Sequence, residues 1–252
     1  LNIEMAATNC HAHIAAFLEK EQIILQESAL ITLKLNDPNI RTKDPVIIRI
    51  AKEGFSIPYN WAKTKIDYAT VDLGLIQVNN ASSLASLSDL VKEPVNQATT
   101  LWFTPTTIQV ANGQLFLGRT DILLNYALHL CSWGRVDLLT DRLHLILGLT
   151  AQALDTAFNI HSLPENYIMQ IPITGTCKKP KINKTRAIAE IAGLVASQSG
   201  SSEGLIFGGI LGAISKSDDK AVPSPKRPFP WEGKVNLQQR KQQPNIFDIF
   251  NH

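Results

Sequence analysis

The sequence predicts a mainly β protein, in which a curved antiparallel meander sheet forms an open groove and carries two or three short helices and an irregular C-terminal tail. Short runs with apolar residues at alternate positions, such as Ile31, Leu33 and Leu35, recur along the chain between turn residues. The pair Asn112-Gly113 between two such runs is typical of a β-hairpin. A hydrophobic content of 44% with 18% charged residues indicates a chain that is folded over most of its length.

The first third of the 252-residue chain predicts a series of strands followed by one helix. Residues 10–35 alternate in three short runs, and Pro58 limits the strand around it to an edge or a strand end. Residues 65–78 predict one long strand or a bent pair, with a bulge at Gly74. Residues 82–93 change to helical spacing, because their leucines recur three residues apart behind two serines that can cap a helix.

The middle of the chain predicts four or five antiparallel strands in sequence order. Residues 122–130 (ILLNYALHL) are interpreted as part of one strand with an apolar side. A short helix through Leu154 and Phe158 follows, and residues 166–176 predict one more strand. The helix predicted over residues 184–198 has four apolar residues on one face: Ile188, Ile191, Ala192 and Val195.

The composition divides the chain into a curved β-sheet domain with capping helices, residues 1–198, and a Gly/Pro-rich tail, residues 199–252, that is partly disordered or docked. Residues 176–252 hold 12 Lys and Arg against 6 Asp and Glu. Because no dense basic block carries interleaved aromatic residues, nucleic acid is not an expected partner. The apolar run 204–214 either packs against protein or contacts a membrane surface. Its membrane-contact candidates are Leu205, Ile206, Phe207, Ile210 and Leu211.

No residue pattern predicts catalysis, and the chain is not expected to be an enzyme. The segment SGSSEG, residues 199–204, lies in a predicted linker and not on a strand-to-helix turn, so it is not a nucleophile elbow, and the sequence contains no Gly-rich phosphate loop. Cys10, His11 and His13 form a local metal-like cluster, but no second ligand pair follows downstream. Polar residues on the wet face of a strand explain this cluster better, so neither a metal nor another cofactor is expected.

The apolar sides of the strands allow two interpretations. They form an ordinary sandwich core, which is the usual fate of such strands, or they line a groove that stays open. Alternation alone does not choose between these two. If the groove is open, the candidate lipid-contacting residues are Ile122, Leu124, Tyr126, Leu128, Leu130, Leu143, Leu145 and Leu147.

The segment IPITGTCKKPKI, residues 171–182, is similar to an element that recurs in the C-terminal region of AsmA-like proteins. The matching positions are Pro172, Ile173, Gly175, Thr176, Pro180 and Ile182. The preceding segment NGQLFLG and the strand GRVDL resemble the strand pattern of that family, so the resemblance runs loosely over about residues 15–198. AsmA-like proteins belong to the repeating β-groove, or bridge-like, lipid-transfer proteins.

This resemblance implies a non-catalytic segment of a lipid-transfer protein that moves phospholipid between the inner and outer membranes of the bacterial envelope. The implied partners are phospholipid or another acyl lipid, a membrane surface and envelope-assembly proteins. The implied location is the periplasm, with an inner-membrane anchor in sequence upstream of this fragment. The alternative is a structural or adaptor module of outer-membrane biogenesis that binds protein partners through a sheet edge.

Overall fold

The computed structural model describes residues 2–7, 9–35, 39–79, 99–161, 163–198 and 221–234. Its strands are β1 (Asn2–Ala7), β2 (Cys10–Glu19), β3 (Gln22–Leu25), β4 (Ala29–Leu33), β5 (Ile40–Thr42), β6 (Val46–Ile50), β7 (Phe55–Pro58), β8 (Lys65–Asp72), β9 (Leu75–Val78), β10 (Thr99–Phe103), β11 (Thr106–Ala111), β12 (Gln114–Leu124), β13 (Leu128–Asp137), β14 (Arg142–Thr150), β15 (Ile168–Thr176) and β16 (Lys179–Ile182). Its helices are α1 (Ala151–Phe158) and α2 (Lys184–Gln198), and a 3-10 turn covers Trp61–Lys63.

Two sequence predictions fall on other parts of the chain. The helix over residues 82–93 and the membrane-contact candidates at 205–211 lie outside the described residues. Among the helices that the structure does describe, none is long and apolar enough to cross a bilayer.

The sheet is an antiparallel meander in which neighbours in space are neighbours in the chain. Several strands are interrupted, so that consecutive pieces pair with the same partner. For example, β10 and β11 both pair with β12, and β9 and β8 in turn pair with β10 and β11. When such pieces are joined, the sheet runs in chain order from β1 to β16. The predicted fold class is therefore confirmed: the protein is mainly β, with one large curved antiparallel sheet.

The interruptions line up across four neighbouring strands and bend the sheet along one line, which we name the crease. Pro45 separates β5 from β6, Gly74 separates β9 from β8, and Pro105 separates β10 from β11. On the next strand, β12, the register shifts between Leu117 and Thr120. Pro has no N–H for a ladder, and Gly74 has a φ of 57°, so these residues permit the bend that regular pairing would oppose.

The hairpin predicted at Asn112-Gly113 is confirmed, since both residues have positive φ and join β11 to β12. The single strand predicted over 122–130 is wrong, because Asn125 and Tyr126 also have positive φ and turn the chain from β12 into β13. The Asn125 Oδ1 accepts a hydrogen bond from the Thr100 N–H at 2.9 Å, which fixes this turn to β10.

Cross-strand pairing divides the side chains between two faces of the sheet. The apolar face carries Leu117, Leu145 and Ile173, and the mixed face carries Trp133 and Arg135. Side chains of directly paired residues lie on the same face. The faces can therefore be followed from strand to strand.

Helix α1 closes one end of the apolar face. Its N-cap is Thr150, whose hydroxyl accepts from the Ala153 N–H and donates to the His129 carbonyl oxygen at 2.6 Å. Leu154 and Phe158 are buried as predicted, with exposed fractions of 0% and 7%. This helix packs on a core cluster that contains Leu128, Leu130, Leu147, Leu149, Met169 and Ile171.

Helix α2 adds to the same core but turns a different face to it than predicted. Ala187 and Ile191 are one turn apart and buried at 1% and 8% exposure, whereas Ile188 is 60% exposed. Ala192 is exposed as well, and Val195 packs only partly against the core. The small side chain of Ala187 lets this turn approach the sheet closely, which the count of large apolar residues did not indicate.

Residues 221–234 dock on the mixed face, and we name them the docked segment. Phe229 and Trp231 are buried at 7% and 2% exposure, and they form a core cluster with Leu123 and the edge of Trp102. Arg119 Nη1 donates to the carbonyl oxygen of Pro223 at 2.9 Å. This part of the predicted tail is thus held against the sheet.

Candidate functional site

A row of apolar side chains crosses the apolar face from β2 to β16, and we name it the apolar row. Ala12 is paired with Ile31, Ile31 with Ile48, and Ile48 with Val71. On β8 the row moves from Val71 to Ala69, two residues away on the same face. From there each residue is paired with the next through Ile108, Leu117, Gly134, Leu145, Ile173 and Ile182. At about 4.8 Å per strand, the row is roughly 40 Å long.

The large side chains of the apolar row are only half-buried. Ile31, Ile48, Ile108, Leu117 and Leu145 all keep an intermediate exposure. The buried core beneath the helices lies at one end of the sheet, and only the last members of the row, at β15 and β16, pack against it. In the remainder of the row these large side chains still have surface to offer to a ligand, whereas Ala12 and Ala69 in the same row are buried at 8% and 4% exposure.

Four residues predicted to line the groove are instead sealed in the core beneath α1 and α2. Leu124, Leu128, Leu130 and Leu147 have exposed fractions of 4%, 1%, 1% and 5%. The sequence interpretation is wrong for these four, because the helices cover the half of the apolar face on which they lie. Aspartate at any of them would bury a charge and would unfold this core before it tested a ligand.

The other four predicted groove residues lie in different surroundings. Ile122 packs partly against the core, and Leu143 is buried at 7% exposure. Tyr126 belongs to the β12–β13 turn, is 42% exposed, and meets the Trp102 ring edge-on at 6.4 Å. Leu145 lies in the apolar row, so it alone of the eight combines a half-buried side chain with a place on the open strip.

The residues of the family-like motif build the β15–β16 hairpin. Gly175 is paired with Pro180 and has a φ of 93°, and a Cβ on this glycine would lie 2.5 Å from the Lys179 carbonyl oxygen. The Thr176 hydroxyl accepts from the Lys179 N–H at 3.1 Å. Pro172 lies one pair before Ile173, on the mixed face. The motif therefore positions the pair Ile173 and Ile182 at the end of the apolar row.

A charged cluster that the sequence interpretation missed lies beneath the docked segment. The Asp121 carboxylate accepts hydrogen bonds from the Arg119 guanidinium, with a shortest distance of 2.6 Å, and from His129 Nε2 at 2.9 Å. The side chains of Arg119, Asp121 and His129 are only 7%, 1% and 13% exposed. The Phe229 and Trp231 rings meet the His129 ring edge-on, at 4.9 and 5.7 Å.

The pKa of Asp121 is lowered from its ordinary value of 3.8. Burial raises it, but the hydrogen bonds from His129 and Arg119 and their positive charges together outweigh burial. Nearby, burial raises the pKa of the Cys131 thiol to about 12, so this thiol is not a nucleophile near neutral pH. The cluster is a fully paired structural anchor for the docked segment.

The predicted Cys10, His11 and His13 cluster does not converge in space. Both histidines are exposed on the mixed face, where His13 Nε2 lies 2.7 Å from Glu27 Oε1, while Cys10 belongs to the apolar face. No group of three His, Cys, Asp or Glu residues within the described ranges is arranged to hold a metal ion.

No family model, curated protein or solved structure matches this chain. The likeness to AsmA-like proteins therefore stays a prediction carried by the residues of the 171–182 segment.

Proposed function

We propose that the chain binds acyl chains of phospholipid or a similar lipid along the apolar row, as a non-catalytic part of a lipid-transfer protein of the bacterial envelope. The observation that supports this proposal is the row itself: paired, half-buried apolar side chains on successive strands. An ordinary core would seal such side chains, as the helices do at the neighbouring end of the sheet.

The energetics of lipid transfer favour a surface of this kind. Exposing one sixteen-carbon chain to water costs on the order of 12 kcal/mol, at ~0.8 kcal/mol per methylene. A continuous apolar strip removes much of that cost while the headgroup stays hydrated. The row is longer than the ~15 Å that one leaflet of a bilayer offers to an acyl chain, so a lipid can move along it in steps.

The test compares two double variants on the same pair of strands. In I31D/I48D, two members of the apolar row become charged, and we expect phospholipid that co-purifies with the chain to be lost in native mass spectrometry. The matched control L30D/I47D changes the adjacent residues, which lie on the mixed face, and should retain the lipid. Circular dichroism should show the same strand content in both.

Three results would contradict the proposal. The first is that the wild-type chain binds no lipid, either co-purified or added. The second is that I31D/I48D keeps its lipid content unchanged, and the third is that the control variant loses as much lipid as I31D/I48D. The adaptor alternative predicts the first of these together with capture of a protein partner at a sheet edge. Edge strand β16 offers little for such pairing, since it carries Lys179, Pro180 and Lys181, residues typical of protected edges.

A further inference from the structure

A cavity lies on the mixed face of the sheet. It has a volume of about 1040 Å³ and spans strands β8 to β15. The docked segment contributes Ala221 and Val222 to its wall, and Tyr167 in the loop before β15 lines it as well. A volume of this size is in the range of sites that hold small organic ligands.

The floor of the cavity consists of two neighbouring rows of paired residues with different chemistry. In one row Trp133 is paired with Ile146, and Ile146 with Pro172, which gives an apolar surface. In the other row Arg135 is paired with His144. Arg135 is also paired with Phe116, so the second row adds one guanidinium and one imidazole to a floor that is otherwise mostly apolar.

The charges around this floor leave Arg135 available to a ligand. Arg135 is exposed and forms no ion pair with any residue that the structure describes. The other cation of the lining, Arg186, is bound to Glu190 at 2.8 Å. The nearby Asp137 carboxylate accepts from the Leu139 and Thr140 N–H groups, both at 2.9 Å, and it also interacts electrostatically with His144. The cavity therefore has an unneutralised cation beside an aromatic and aliphatic floor.

We propose that this cavity binds an amphipathic organic anion, with its carboxylate or a similar anionic group at Arg135 and His144 and its apolar part over Trp133 and Ile146. The guanidinium is suited to such a group because it can donate two parallel hydrogen bonds to a carboxylate. Four residues of the apolar row, Leu117, Gly134, Leu145 and Ile173, also belong to the cavity lining. Ile31 and Ile48 do not, so the variant I31D/I48D tests the two proposals separately.

The test titrates the full chain with three ten-carbon probes: decanoate, decan-1-ol and decylammonium. We expect saturable calorimetric binding of decanoate, about tenfold weaker binding of the alcohol, and no binding of the cation at this site; a tenfold change corresponds to about 1.4 kcal/mol. R135Q should weaken decanoate binding about tenfold and leave the affinity for decan-1-ol unchanged. H144A should weaken it as well.

Two control variants separate this site from its surroundings. R142Q removes an exposed cation from the same strand as His144 but outside the cavity lining, and it should bind decanoate like the wild type. I31D/I48D should also retain the charge-selective binding. Equal affinity for decanoate and decan-1-ol, unchanged binding in R135Q, or equal loss in R142Q would overturn the proposal.

Discussion

The carboxylate of Asp121 connects Arg119 and His129 beneath the docked segment through hydrogen bonds. Both side chains also touch the docked segment: Arg119 through the Pro223 carbonyl and His129 through two aromatic rings. Removal of the acid would leave the Arg119 guanidinium buried without a counter-charge. Such losses cost more than the net contribution of the intact pair.

We expect D121N to lower the free energy of unfolding by about 3 kcal/mol at neutral pH. Because the folded pKa of Asp121 lies below its ordinary value, this contribution is complete above about pH 4 and is lost as the pH falls toward the folded pKa. Urea denaturation from pH 7 to pH 3 should therefore show the gap between wild type and D121N closing at low pH. A constant gap over this range would contradict the assignment.

Individual residues show how much the sequence revealed. The alternation in each strand predicts which side chains share a face, and Leu145 lies half-buried on the face predicted for it. The four residues beneath the helices were misplaced because alternation reports the face and not what covers it. Asp121 and His129 gave a signal in principle, since each is a polar residue within an apolar strand, but the rings that cover His129 lie about a hundred residues further along the chain.

The docked segment contains neither helix nor strand, and it is held by aromatic and cation–π contacts together with the Arg119 hydrogen bond to the Pro223 carbonyl oxygen. Its Phe229 and Trp231 rings stack at 5.1 Å, the Arg227 guanidinium lies 5.2 Å from the Phe229 ring, and the Lys234 ammonium lies 5.3 Å from the Trp102 ring. Burial of two aromatic rings supplies most of the affinity of such a segment for the sheet.

We expect W231A to release the docked segment and to lower the free energy of unfolding by about 3 kcal/mol. Released chain should be cut faster by trypsin after Lys226, and mass spectrometry of the fragments measures this rate. E232A changes the neighbouring exposed residue and serves as the control. Equal cleavage of W231A and wild type would show that the aromatic pair does not hold the segment.

Turn chemistry explains why some elements were predictable and others were not. Asn112-Gly113 predicts its hairpin because glycine readily adopts the positive φ that this turn needs. Asn125-Tyr126 makes the corresponding turn with no glycine, and two hydrogen bonds between Asn125 and Thr100 hold this turn in place. The face that α2 buries depends on the small size of Ala187. A hydrophobicity pattern did not predict this face, because it gives alanine little weight.

At the scale of the whole molecule, the apolar face has a half-buried part between two core clusters, one beneath the helices and one that contains Ala29 and Phe55. We name the half-buried part the open part. A ligand that fills the open part stabilises the folded chain through mass action, since the unfolded chain has no such strip. A lipid at a hundred times its dissociation constant adds about 2.7 kcal/mol. Lipid binding to the open part should therefore raise the melting temperature, in addition to appearing as lipid content.

We expect that detergent removal of lipid lowers the melting temperature and that added phospholipid restores it. The melting temperature of I31D/I48D should not respond to added phospholipid, while L30D/I47D should respond like the wild type. Differential scanning fluorimetry with and without vesicles provides the measurement. A wild-type chain that is indifferent to lipid in this assay would speak against occupancy of the apolar row.

The chain-order pairing of the strands has a consequence for how the protein is made. Each strand finds its partner among residues that left the ribosome immediately before it, so the sheet can grow hairpin by hairpin during synthesis, without waiting for the C-terminus. In this respect the molecule behaves like a linear array, in which each new piece needs only the one before it. Truncation from the C-terminal side should consequently shorten the sheet while its earlier hairpins still assemble.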